Sequence, residues 1–158
     1  MTGFQNLSGA SSSITMQQVS ENTNQVNESH HNVAIIGTGF AGLCMAIRLK
    51  QQGEEDFVLY EKAETLGGTW RDNTYPGCGC DVPSNLYSLS FERNPNWSTK
   101  FASQNEILQY LYRLTKKYRV EQNIKFRTEI TAMVWDAASS RWHLTTAAGK
   151  RLTATVVI

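Results

Sequence analysis

The sequence predicts an α/β fold built on a parallel sheet. Two short apolar runs, residues 33–36 (Val-Ala-Ile-Ile) and 57–60 (Phe-Val-Leu-Tyr), carry that prediction together with the glycine-opened helical pattern between them. Unbroken apolar runs of this length mark strands buried on both faces, as in parallel sheets covered by helices. The chain has 158 residues, suited to one domain at roughly 100–200 residues per domain.

The elements follow in order. Residues 1–32 contain 15 Ser, Asn or Gln and no Lys or Arg, and their apolar residues show no sustained period. Such a stretch buries too little apolar area to offset its conformational entropy, so a disordered polar leader is expected. It has neither the basic start nor the apolar run of a secretory signal, and no Arg for a mitochondrial presequence. His30 and His31 lack further metal ligands nearby and are expected to be solvated linker. Residues 33–36 form the first strand, and Gly37-Thr38-Gly39-Phe40-Ala41-Gly42 turns it into a helix carrying Leu43, Met45, Ala46, Ile47 and Leu49. Gly53 stops that helix. The second strand, 57–60, ends at Glu61 and completes a βαβ unit.

Residues 65–100 hold most of the Pro and much of the Gly, and are expected to be irregular. Ser103-Gln104-Asn105-Glu106 reads as a capping box. It opens a helix with an apolar stripe of Ile107, Leu111, Leu114 and Tyr118, and with Lys116, Lys117 and Arg119 placed favourably for the dipole. Three strand-like runs follow, 124–136, 141–146 and 152–158, with turns at 137–140 and 148–150, a β-meander. The final Thr155-Val156-Val157-Ile158 reads as a strand cut short, without a polar or turn residue after it.

Charge is balanced, 15 Lys+Arg against 14 Asp+Glu, which gives no electrostatic reason to expect nucleic acid or an anionic membrane as partner. No window approaches the ~18–20 apolar residues that span a bilayer. Three Cys are too few and too odd for a disulfide framework, so a reducing, cytoplasmic location is expected.

A Gly-x-Gly-x-x-Gly stretch alone is weak evidence. Here it follows a strand, opens a helix, sits in a βαβ unit and is followed by an acid at the end of the second strand, the Rossmann-like dinucleotide pattern. Gly37 permits the tight turn, Gly39 lets backbone and pyrophosphate approach, and Gly42 lets helix pack on strand. The helix N-terminus then offers amide groups to the phosphates. Glu61 is suited to the ribose hydroxyls and would repel a 2′-phosphate, so FAD or NAD is expected rather than NADP; the spacing leaves those two open.

Leu66-Gly67-Gly68-Thr69-Trp70, Tyr75-Pro76-Gly77-Cys78-Gly79-Cys80-Asp81 and Leu86-Tyr87-Ser88 separate them. With the glycine turn and Glu61, these segments make the sequence resemble the FAD-dependent Baeyer–Villiger and flavin-containing monooxygenases, from about residue 33 to the last. The resemblance implies a Rossmann-like FAD-binding fold with parallel sheet and β-meander, incomplete at its C-terminus. It implies that Gly37, Gly39, Ala41 and Gly42 lie against the FAD pyrophosphate and that Glu61 holds the adenosine ribose. Thr69, Trp70, Arg71 and Asp72 would wrap the flavin half, and the Ile130 backbone would meet the adenine. Asp81 would sit beside the isoalloxazine ring where the nicotinamide of NADPH docks, as the catalytic residue, with Gly79 and Cys80 adjacent and Tyr87 lining the flavin.

The activity so implied is NADPH-dependent: O₂ adds to reduced FAD, and a C4a-peroxyflavin transfers one oxygen atom to a ketone or to nitrogen or sulfur. The second glycine fingerprint for NADPH and the Phe-x-Gly-x-x-x-His signature of the family do not occur in residues 1–158. The chain is therefore expected to be an N-terminal FAD-binding portion, inactive by itself. From the residues alone, Asp81 reads first as an Asx-turn residue, and only the resemblance favours the flavin; Trp70 reads equally as core, and Tyr87 with Phe91 as packing. Cys78 and Cys80 are expected to be a buried, inert thiol pair rather than metal ligands. Two other readings stay open: an FAD-dependent oxidoreductase without oxygenation, and a non-catalytic nucleotide-binding module.

Overall fold

A computed structural model describes residues 29–158. Its elements are strand β1 (Ser29–Ile36), helix α1 (Phe40–Gln51), strand β2 (Phe57–Tyr60), a single helical turn α2 (Thr69–Asp72), helix α3 (Gln104–Lys117), and strands β3 (Ile124–Lys125), β4 (Ile130–Asp136), β5 (Arg141–Thr146) and β6 (Arg151–Val157). All six strands join one sheet, in the order β3-β2-β1-β6-β5-β4. The β3-β2-β1-β6 half is parallel, whereas β6-β5-β4 is an antiparallel meander. The parallel sheet and the meander are thus a single surface, with β6 belonging to both.

The apolar runs behave as strands covered on both faces. Val33, Ile35, Phe57 and Leu59 pack with Leu43, Ala46 and Ile47 of α1 and with Ile107, Leu111 and Leu114 of α3. Ala34, Val58 and Tyr60 point to the other face, where Leu144, Leu152 and Ala154 of the meander meet them. Each such side chain removed from water contributes about 1.5–3 kcal/mol, and this burial fixes where β1 and β2 end and the glycine turn begins. Gly53, at φ 83°, ends α1 as its position predicts.

Three sequence expectations change. The first strand begins at Ser29 rather than at residue 33, because residues 29–34 pair with Leu152–Val157 of β6 across the whole length of the chain. His30 and His31 are therefore strand residues and not solvated linker. His30 Nδ1 lies 3.0 Å from Thr153 Oγ1, and His31 Nδ1 lies 3.0 Å from Asp56 Oδ1. The rest of the polar leader, residues 1–28, lies outside the described residues. The run 124–136 is two strands: Ile124–Lys125 pairs with Leu59 and Tyr60, and Ile130–Asp136 pairs with β5. Between them Arg127 takes a positive φ of 53°, and the Arg127 and Thr128 amides donate to Ala63 O and Glu61 O. The capping box is half formed. Ser103 Oγ accepts from the Glu106 amide, but the Glu106 carboxylate turns away to the amide and hydroxyl of Ser98.

Candidate functional site

The end of β1 and the start of α1 are shaped by their glycines. Gly37 has φ 95°, which a side chain disfavours. A Cβ on Gly42 would stand 2.2 Å from Gly37 O, so the turn closes only on glycine there. Gly39 caps α1 with no side-chain hydrogen bond, and no acid occupies the first helical turn. An anion therefore meets the helix N-terminus without competition. Gly68, at φ 51°, faces this turn: a Cβ on it would come within 3.1 Å of Gly39 Cα. The two loops are joined by the Gly67 amide, which donates to Thr38 O at 3.0 Å.

These loops form one wall of a cleft of about 400 Å³ lined by Gly37, Gly39, Glu61, Gly68, Arg71, Asp72 and Ile130, among others. That volume falls in the lower part of the roughly 300–1,000 Å³ typical of small-molecule sites. Glu61 lies at its floor, 3% exposed. Its Oε2 accepts from the Thr38 amide at 3.0 Å and the Thr38 hydroxyl at 2.6 Å. Its Oε1 accepts from the Ala63 amide at 2.9 Å and lies 3.1 Å from Arg71 Nη1. Burial by itself would raise the Glu61 carboxyl; the hydrogen bonds from Thr38 and Ala63 and the charge of Arg71 outweigh it and hold the group ionised below the usual carboxylate range. Asp72 grips the other side of the Arg71 guanidinium, Nε–Oδ1 2.8 Å and Nη2–Oδ2 3.1 Å.

The same elements recur in known proteins. Residues 35–104 match a family model described as an NAD(P)-binding Rossmann-like domain. A Baeyer–Villiger monooxygenase of Pseudomonas aeruginosa is 54% identical over 129 residues, which are 82% of this chain and 24% of that protein. One from Streptomyces coelicolor is 48% identical over 134 residues, 85% of this chain and 25% of its own. Among solved structures, an oxidised steroid monooxygenase bound to NADP superposes with TM-score 0.77 at 36% identity, covering 82% of this chain and 25% of that one. A closed cyclohexanone monooxygenase gives TM-score 0.78 at 32% identity over the same share of this chain, and 25% of its own. Over this stretch the chain matches the Baeyer–Villiger monooxygenases in both sequence and fold. It spans about a quarter of the length of the curated relatives it matches.

Measured against the family pattern, the predicted residues separate into groups. Gly37, Gly39, Glu61, Arg71, Asp72 and Ile130 line the one cleft. Ala41 is exposed beside it in the first turn of α1, and Gly42 acts from behind by closing the turn. Thr69 is exposed at the start of α2. Trp70 is buried in the first core, so its core reading holds in this structure. Its Nε1 donates to Tyr87 Oη at 3.1 Å, and Tyr87 packs edge-on against Phe40, 5.1 Å between centroids. These aromatics support the glycine loop from beneath.

Gly79, Cys80 and Asp81 lie outside the cleft lining, on a strip docked to the start of α3. Gly79 bridges to Ser103, and the Cys80 amide donates to Ala102 O at 2.9 Å. Asp81 is exposed, and its carboxylate makes no hydrogen bond or ion pair among the described residues, so the Asx-turn alternative does not describe it. The thiols are not a matched pair: Cys80 is buried, Cys78 only half-buried, and both are free. No cluster of metal-ligating side chains occurs among the described residues.

Sequence reasoning missed Thr38 and Gly68. Thr38 occupies a variable position of the glycine pattern, so nothing in the spacing marks it, yet it is fully buried and supplies two of the donors to Glu61. Gly68 was legible in principle, as the second glycine of a Gly-Gly pair placed to face the first loop.

Proposed function

We propose that this chain forms the FAD-binding part of an NADPH-dependent monooxygenase that inserts one atom of O₂ into a ketone, the Baeyer–Villiger reaction. The observation that carries the reading is the cleft itself: a glycine-walled anion site at a helix N-terminus, with a buried, ionised acid at the end of the next strand. The residues fit FAD. Gly37, Gly39 and Ala41 would hold the pyrophosphate, Glu61 the adenosine ribose, and the backbone of Ile130 the adenine. Thr69, Arg71 and Asp72 would wrap the flavin half, with Trp70 and Tyr87 fixing that loop from the core. Bound FAD would supply the redox chemistry, accepting hydride from NADPH and activating O₂.

Asp81 would serve at the ring edge and the nicotinamide. The Cys80 backbone bond on one side and Pro83 on the other hold it on a stiff strip, with its carboxylate free to accept from a ligand. The names of the relatives favour a ketone over nitrogen or sulfur as acceptor. No helix among the described residues is long and apolar enough to cross a membrane, and the three free thiols suit a reducing cytoplasm. In a protein of the relatives' length carrying this segment, Asp81→Ala is expected to lower ketone oxygenation more than FAD content. Equal product yields would remove Asp81 from catalysis.

A further inference from the structure

We propose that Arg71 is an exchangeable partner of Glu61: dinucleotide binding moves its Nη1 from the carboxylate to a phosphate oxygen, opening one acceptor position on Glu61 for a ribose hydroxyl. The inference rests on the dinucleotide reading above and concerns how its two recognition events are linked.

A carboxylate offers about four lone-pair positions. On Glu61 three are taken by hydrogen bonds, from the Thr38 amide and hydroxyl on Oε2 and the Ala63 amide on Oε1, and Arg71 Nη1, ion-paired 3.1 Å from Oε1, covers the fourth. A ribose hydroxyl can donate to Glu61 only after one donor leaves. Two of the four are backbone amides, and the Thr38 hydroxyl is fully buried. Arg71, whose side chain is 16% exposed in the cleft lining, is the one open to a ligand. It also has other holds, since Nη1 donates to Thr65 O at 2.6 Å while Nε and Nη2 stay on Asp72. The guanidinium therefore stays tethered to Asp72 while Nη1 turns away from Glu61.

Charge provides the reason to move. The cleft lining carries Glu61, Asp72 and Glu129 against Lys62 and Arg71, a net negative surface for an entering pyrophosphate. A guanidinium presents planar, forked donors that match phosphate oxygens, and charge-assisted bonds of this kind are about twice as strong as neutral ones. One short movement then provides the phosphate with a cation and the ribose with an acceptor.

The test is titration calorimetry of adenosine, ADP and FAD into the wild-type chain and into Arg71→Met and Arg71→Lys. Wild type is expected to prefer ADP to adenosine, with ADP binding weakening in salt and adenosine binding unmoved. In Arg71→Met, ADP should lose about ten- to hundredfold, while adenosine binds as well as before or more tightly, and Arg71→Lys should fall between. Equal losses for ADP and adenosine would make Arg71 a simple lock on Glu61 and overturn the exchange. ADP binding no tighter than adenosine, or insensitive to salt, in wild type would overturn it without any variant. A folded wild type that binds neither ADP nor FAD would instead overturn the dinucleotide reading, and the exchange with it.

Discussion

Thr38→Val isolates a hydrogen bond on which the ionised state of Glu61 depends. Thr38 is wholly buried, and its hydroxyl donates to Glu61 Oε2 at 2.6 Å. Valine fills the same space, so no cavity forms and the change is confined to one bond to a charged acceptor, worth about 1.5–3 kcal/mol. At about 2–4 °C per kcal/mol for a domain of this size, Tm should drop by several degrees. Thr38→Ser, which keeps the hydroxyl and gives up one methyl group, should cost only about 1 kcal/mol. The pH dependence gives the sharper check. The folded-state pKa of Glu61 is depressed, so its stabilisation is complete above its unfolded value of 4.5 and is lost as pH falls through the lower folded value. Urea denaturation should therefore show a Thr38→Val deficit at pH 7 that shrinks below pH 4.5. A deficit of the same size at both ends, or none at pH 7, would refute the assignment of that bond.

Gly42→Ala sets two effects against each other. Alanine gains about 1 kcal/mol of helix propensity, but its methyl would sit 2.2 Å from Gly37 O; a net loss of at least about 2 kcal/mol is expected by urea denaturation, together with loss of FAD. Tyr110→Phe removes a hydroxyl that accepts from the buried Leu89 amide at 2.9 Å and donates to Glu92 O at 2.6 Å. The stranded amide should cost about 1–3 kcal/mol, and limited proteolysis should speed up in residues 83–100. Ser103→Ala removes the side-chain acceptor at the start of α3 and should cost about 1 kcal/mol in thermal melts.

The βαβ unit was legible because its signals are local. Apolar runs, glycine spacing and one acid all lie within about thirty residues, and the structure places them as strand, turn, helix and strand end in the expected order. What was not legible depends on distant partners. His30 and His31 look like linker until Thr153 and Ala154 come alongside, and residues 124–136 look like one strand until β2 takes the first two of them. At the site, the glycines and Glu61 could be read from residue type. The Thr38 and Arg71 bonds to Glu61 could not, because a threonine in a variable position and an arginine in an irregular loop carry no periodic signal. Family resemblance grouped Trp70 and Tyr87 with the flavin contacts; in the structure Trp70 packs in the core and donates to Tyr87, a packing role that residue type alone left open.

Flavin retention tests the central claim most directly. The purified 158-residue chain, saturated with FAD and then desalted, should keep close to one flavin per chain by absorbance, and Glu61→Ala should lose most of it while circular dichroism shows the fold intact. Equal flavin in the two proteins, or none in a folded wild type, would contradict the account.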